Sequence, residues 1–162
     1  MAIRTIREDQ DEALKKHCKP VKEMTPRLKE LIGDMIETMH ESNGVGLAAP
    51  QVGVLKRIFV VDVTGEDVIV CINPEITEAE GEQRGYEGCL SLPGFSAIVV
   101  RAQKIRLRAL NENMEPFELE AEDLLARALQ HECDHLDGIM YTEKMEGSLV
   151  RNEDLTEEDE AV

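Results

Sequence analysis

The stretch that most constrains this chain is His131-Glu132-Cys133-Asp134-His135, set between Leu124 and Leu136. On an α-helix each residue turns by about 100°, so two histidines four apart share a face and can grip one metal ion. With Leu124 taken as zero, Ala128, Leu125, Leu136 and Leu129 fall between about 40° and 140°, while Asp123, Arg127, Asp134 and Gln130 cluster between about 240° and 300°. His131 and His135 straddle zero and Glu132 lies near 80°, so all three point inward. A buried carboxylate and two buried imidazoles cost several kcal/mol each unless hydrogen-bonded or bound to metal, and one divalent cation satisfies them together. The bare five-residue motif also arises by chance on amphipathic helices, so the inward orientation carries the reading. Asp134, on the polar side, is expected to hold a neighbouring segment by an ion pair.

The chain has 162 residues, which suits one domain with one core. Residues 1–150 are read as a single catalytic domain and 151–162 as an acidic, mobile tail. The net charge of −16 argues against a general nucleic-acid-binding surface, so an RNA-rich partner has to be met through a local patch. Met1–Gln10 has no apolar signal region and no later run reaches membrane-spanning length; a cytoplasmic protein is the expectation. Cys18, Cys71, Cys89 and Cys133 form no C-x-x-C pair, so reduced thiols are expected, with Cys71 as core filler in a strand-like run and Cys18 and Cys133 incidental.

Residues 1–24 read as an extended entry segment. Thr25-Pro26 is an N-cap followed by proline at the first helical position, and Leu28, Leu31, Ile32, Met35, Ile36 and Met39 recur at helical spacing up to Asn43-Gly44. Gly44-Val45-Gly46-Leu47-Ala48-Ala49-Pro50-Gln51 breaks that period, as a helix-exit turn does and as a backbone closely approached by another group does. Strands are predicted over 57–63, 67–72, 96–100 and 104–110, with a short run near 117–119. The region from Glu143 onward is acidic and read as solvated. Helix near each end with strands between predicts an α+β domain, mostly antiparallel, around the His-Glu-x-x-His helix.

A catalytic zinc-type site keeps three protein ligands and one open position. Extending the helix motif to His-Glu-x-x-His-x-x-Gly-x-x-His finds Gly138 in place but Tyr141 where a metzincin-like third histidine would stand. A thermolysin-like glutamate from a later helix has no room, leaving Glu143 and Glu146 as weak donors; His17 and His40 look like surface residues. Cys89, read as lying between glycine and leucine in a tight, strand-free segment, is the better donor, although a lone cysteine is most often a small buried hydrophobe.

Gly44–Gln51, Glu87-Gly88-Cys89-Leu90-Ser91 and His131–His135 together resemble, in order and spacing, the three signature motifs of the peptide deformylases, and the resemblance extends to about Tyr141. It implies a metal-dependent hydrolase removing the formyl group from the N-terminal formyl-methionine of newly made polypeptides. Cys89, His131 and His135 would be the ligands, with one divalent metal per chain, natively Fe(II), and with Zn(II) also suited. Glu132 would serve as general base and then acid toward the attacking water. The Gln51 amide and the Leu90 backbone N–H would stabilise the developing oxyanion. Substrate would lie extended along Gly44, Val45 and Gly46, where a larger side chain would block its approach, with Leu125, Ala128 and Leu129 backing or lining the methionine pocket and Glu87 and Arg101 as structural or rim charges. Implied partners are formyl-methionyl peptides and nascent chains, with transient ribosome contact but no basic C-terminal helix to make it; no DNA or membrane partner and a monomeric state are expected. The rivals are a zincin-like metallopeptidase cutting internal bonds and a non-catalytic metal-binding interaction domain.

Overall fold

The computed structural model describes residues 2–155. Helix α1 spans Pro26–Glu41, and the Thr25 hydroxyl accepts from the Leu28 N–H at 3.1 Å, the cap the sequence predicts. Strands β1 (Gly46–Ala48), β2 (Ile58–Val61), β3 (Ile69–Glu80), β4 (Gln83–Cys89), β5 (Leu92–Arg101), β6 (Lys104–Leu110) and β7 (Pro116–Glu122) lead into helix α2 (Asp123–Leu136), and β8 (Met145–Arg151) follows. One sheet has the order β1-β2-β3-β6-β7 and the other β4-β5-β8, with every strand pair antiparallel. The α+β architecture is therefore as read.

Strand β2 shows how the larger sheet is filled. Ile58 and Val60 pack with Leu31, Ile32, Met35 and Met39 of α1, whereas Phe59 and Val61 pack with Ala126, Leu129 and Leu136 of α2. All four are fully buried, because a strand covered on both faces needs no polar alternation. Helix α2 touches strands of both sheets, which brings the His-Glu-x-x-His segment between them.

Three strands lie outside the sequence reading, namely β1, in the stretch read as breaking the helical period, β4 and β8, and β3 runs on from its predicted end at Ile72 to Glu80. Residues 83–89 form β4, so Cys89 ends a strand and does not lie in a strand-free segment. Met145–Arg151, read within a solvated acidic end, is β8 and pairs with β5, and Arg151, assigned to the tail, is its last residue. Glu146, Gly147 and Ser148 are exposed on this edge strand while Leu149 and Val150 are half-buried, so its hydrophobic signal is short and one-sided. Residues 152–154 make a single 3₁₀ turn, and the remainder of the predicted tail, 156–162, lies outside the described residues.

Candidate active site

Three chain segments converge on α2. Strand β1 and the following 3₁₀ turn bring Gly46 and Gln51, the end of β4 brings Cys89, and α2 itself brings His131, Glu132 and His135. Sγ of Cys89 and the nearest ring nitrogens of the two histidines all lie within 4.8 Å of one another, and Cys89 Sγ is 3.4 Å from His135 Nε2. Bonds of 2.0–2.3 Å at a tetrahedral angle separate a thiolate and an imidazole ligand by about 3.6 Å, so this donor set fits one divalent ion.

The surroundings fix the His131 donor. Nδ1 of His131 donates to Glu87 Oε1 at 2.7 Å, since an ionised carboxylate can only accept; in the neutral ring the lone pair is thereby left on Nε2, toward Cys89. The Tyr141 ring stacks on His131 with centroids 5.9 Å apart, so this tyrosine packs against the ligand set and does not join it. Glu87 is itself held by Arg101, through Nε at 2.7 Å and Nη2 at 2.9 Å, and by Arg127 Nη1 at 2.7 Å. Burial pushes the Glu87 carboxyl up, but the hydrogen bonds from Arg101 and His131 outweigh it and hold the group well below the usual carboxylate range. Asp134 closes the network through Arg101 and Lys144, the ion-pair role the sequence predicts for it.

Two groups of the site are orphaned among the described residues. Glu132 Oε1 and His135 Nδ1 are buried without a hydrogen-bond partner. Burial raises the Glu132 carboxyl to about 7, and a nearby cation acts in the opposite sense. Burial likewise lowers His135 well below the ordinary imidazole value, helped by His131. A buried carboxylate with a bare oxygen, beside three convergent soft donors, has the chemistry of a site built around a cation and a water.

Gln51 is fully buried and its orientation is settled by its neighbours. Oε1 accepts from the Ala48 N–H at 2.9 Å, so Nε2 must face the site, where it donates to Ser91 Oγ at 3.0 Å and lies 3.5 Å from Cys89 Sγ. Gly46 is the tightest point. A Cβ there would meet Glu132 Oε2 at 2.5 Å, so the missing side chain first of all makes room for Glu132, whereas the sequence reading credits it to the approach of substrate.

A cavity of about 500 Å³ opens over this group, bordered by Gly44, Val45, Gly46, Gln51, Cys89, Leu90, Ala128, His131 and Glu132. Leu125 and Leu129, expected to back or line it, do not border it: Leu129 is fully buried and both pack with the core of the larger sheet. Leu124 borders it instead. The cavity-facing side of α2 is centred near the histidines, so Leu125 and Leu129, about 100° and 140° round from that centre, point into the core. Arg127, placed on the solvent side by the same wheel, is only 3% exposed and lines the cavity, because β4 and β5 cover that side and supply Glu87 and the Val99 carbonyl. Glu87 and Arg101 are buried structural charges, not rim charges. Asn152, assigned to the tail, also borders the cavity and holds Ser96 Oγ at 2.6 Å. His40, read as a plain surface residue, bonds the buried Asp62 carboxylate at 2.7 Å.

Fold and site together define the chain as a metal-dependent hydrolase with a one-ion site. The family model for polypeptide deformylases matches residues 3–150, and the chain belongs to the peptide deformylase family. The peptide deformylase of Agathobacter rectalis is 57% identical over 159 residues, 98% of each chain, and peptide deformylase 1 of Clostridium perfringens is 57% identical over 87% of this chain and 97% of that one. Among solved structures, the peptide deformylase of Legionella pneumophila has a TM-score of 0.87 at 46% identity, covering 89% of this chain and 86% of that one. The Synechococcus elongatus enzyme, in complex with actinonin, has a TM-score of 0.84 at 37% identity, over 88% and 78%.

Proposed function

We propose that the cavity over Cys89, His131 and His135 is where this deformylase removes the N-formyl group from the formyl-methionine of newly synthesised polypeptides. The observation that carries the assignment is the bare Glu132 oxygen beside three convergent metal donors at the cavity floor. Cys89 Sγ and the Nε2 atoms of His131 and His135 would hold one divalent metal. When bound, such an ion acts as a Lewis acid that polarises a carbonyl and lowers the pKa of a water from about 16 toward neutrality. Ferrous iron is the native ion in this reading, supported by the family resemblance and by a thiolate-imidazole set soft enough for iron or zinc.

The protein's own groups then have distinct tasks. Glu132 takes the proton of the attacking water as the tetrahedral carbon forms and returns it to the departing amine, while formate leaves. Gln51 Nε2, aimed by the Ala48 N–H, and the Leu90 N–H donate to the oxygen that gains charge; one such donor typically contributes about 3 kcal/mol to the transition state. Val45 and Gly46 offer backbone groups to an extended peptide, and Ala128 and Leu124 give the methionine side chain an apolar wall. Residues 1–150 form the catalytic unit of this reading, with Asn152 added at the cavity rim.

The test is formate release from a formyl-Met tripeptide by anaerobically prepared, iron-loaded protein, with Glu132→Ala as control. Release by the wild type alone is expected. Cleavage of internal peptide bonds without formate release would overturn the assignment in favour of a metallopeptidase.

A further inference from the structure

The chain carries 34 acidic residues against 18 lysines and arginines, yet its cations are unevenly used. Arg4, Arg7, Arg57, Arg84, Arg101, Arg106, Arg108, Arg127, Lys144 and Arg151 each sit in an ion pair. Among the described residues the other eight have no carboxylate within 4.0 Å, and seven of these fall at positions 15–29 and 56. Four of the seven, Lys19, Lys22, Arg27 and Lys56, line one concave surface of about 580 Å³ whose only acid among the described residues is Glu23. Backbone pairing builds it: the Lys19 N–H donates to the Leu55 carbonyl and the Arg57 N–H to the Lys19 carbonyl, which sets Lys19 beside Lys56.

The entry to α1 breaks a local rule at the same place. A helix N-terminus carries a partial positive charge and favours acids, but the first turn of α1 has none and holds Arg27 and Lys29. A molecule this rich in carboxylates that keeps its unpaired cations together, at a helix end that disfavours them, is locally inconsistent in the way binding surfaces are.

We propose that the surface formed by Lys19, Lys22, Arg27 and Lys56 docks the phosphate backbone of structured RNA. The choice of RNA rests on the proposed deformylase function, since a newly made polypeptide is presented by an RNA-rich particle. Shape favours it over a bilayer: the surface is concave, and its apolar members Val21 and Leu28 are not among the exposed large hydrophobics, so nothing there inserts into lipid. Overall negative charge repels RNA elsewhere on the molecule, which orients the contact. The surface lies at the N-terminal end of α1 and the catalytic cavity begins just past its C-terminal end, at Asn43, so about 24 Å of helix separates them and both can be occupied at once.

The experiment uses full-length metal-loaded protein and a fluorescent RNA hairpin. It compares Lys19→Gln/Lys22→Gln/Arg27→Gln/Lys56→Gln with a charge-matched control, Arg84→Gln/Lys104→Gln/Arg106→Gln/Arg108→Gln. Four phosphate contacts imply that wild-type affinity falls about 100-fold between 50 and 200 mM salt. At 50 mM salt the groove variant is expected to bind at least about 20-fold more weakly than the control. Both variants keep wild-type formate release from a formyl-Met tripeptide, which reports an intact fold, and the tripeptide does not displace RNA. Absence of RNA binding by the wild type at 50 mM salt overturns the proposal, as does equal binding by the groove variant. Binding only to vesicles containing about one third phosphatidylglycerol overturns it too. Loss of deformylation in the wild type with RNA binding intact would instead strike the catalytic reading.

Discussion

Replacing Gly46 by alanine separates two explanations of why the first motif needs glycine there. Gly46 lies in β1 with ordinary extended backbone, so alanine introduces no dihedral strain. Its methyl would stand 2.5 Å from Glu132 Oε2, 2.9 Å from Cδ and 3.1 Å from Cγ, whereas ordinary contact begins near 3.4 Å. The carboxylate must therefore retreat by about 0.9 Å. It is the end of a side chain, so the fold survives, at a cost of about 1–3 kcal/mol for overpacking. Catalysis does not tolerate the move: a displacement near 1 Å lowers kcat about 100-fold, equivalent to about 2.7 kcal/mol. Steady-state formate release should show this fall in kcat with KM little changed, and adding the substitution to Glu132→Ala should change nothing further. If instead KM rises, kcat holds, and the KM effect persists in the Glu132→Ala background, the glycine serves substrate approach and not the seating of Glu132.

Further outcomes are expected at four places in the chain. Cys89→Ala should purify with far less than one metal per chain by elemental analysis; retention of a full equivalent would mean that the third donor lies elsewhere. Glu87→Gln removes the acceptor shared by Arg101, Arg127 and His131, leaves two buried guanidinium groups under-compensated, and should lower stability by about 3–5 kcal/mol in urea titrations. The same variant should weaken metal binding roughly 10–100-fold in a chelator competition. The Asp62 carboxyl is held below its usual range, chiefly by the hydrogen bond from His40, so the stability it contributes is present above the unfolded value near 3.8 and lost as pH falls through the folded one. The wild-type urea midpoint should thus fall more steeply than that of Asp62→Asn between pH 6 and pH 3, and equal slopes would remove Asp62 from the account. Ending the chain after Leu155 should leave the tripeptide kcat/KM within about twofold, whereas Asn152→Ala should raise KM, because Asn152 borders the cavity.

The sequence by itself determined the parts whose chemistry repeats along the chain. The period of Leu28 to Met39 with Thr25-Pro26 before it specified α1, because capping and amphipathicity are local. His131, Glu132 and His135 could be placed on one inward face from spacing alone, since helical geometry fixes their mutual angle. Strand β4 escaped the same treatment because its inward positions, Gln83, Gly85, Glu87 and Cys89, hold the polar groups of the site, so a hydrophobic alternation never appears. What only the tertiary structure decided follows from that strand's position. A helical wheel gives directions, not neighbours: it put Arg127 toward solvent, and only the packing of β4 and β5 turned that direction into a buried pair with Glu87. It likewise could not tell the cavity side of α2 from the core side, which is why Leu124 and not Leu125 or Leu129 reached the pocket. The unpaired cations around Lys19 and Lys56 stand 37 residues apart in sequence and become one surface only because backbone hydrogen bonds lay one segment beside the other. Pairing between distant segments is set by the whole core, and no local pattern encodes it.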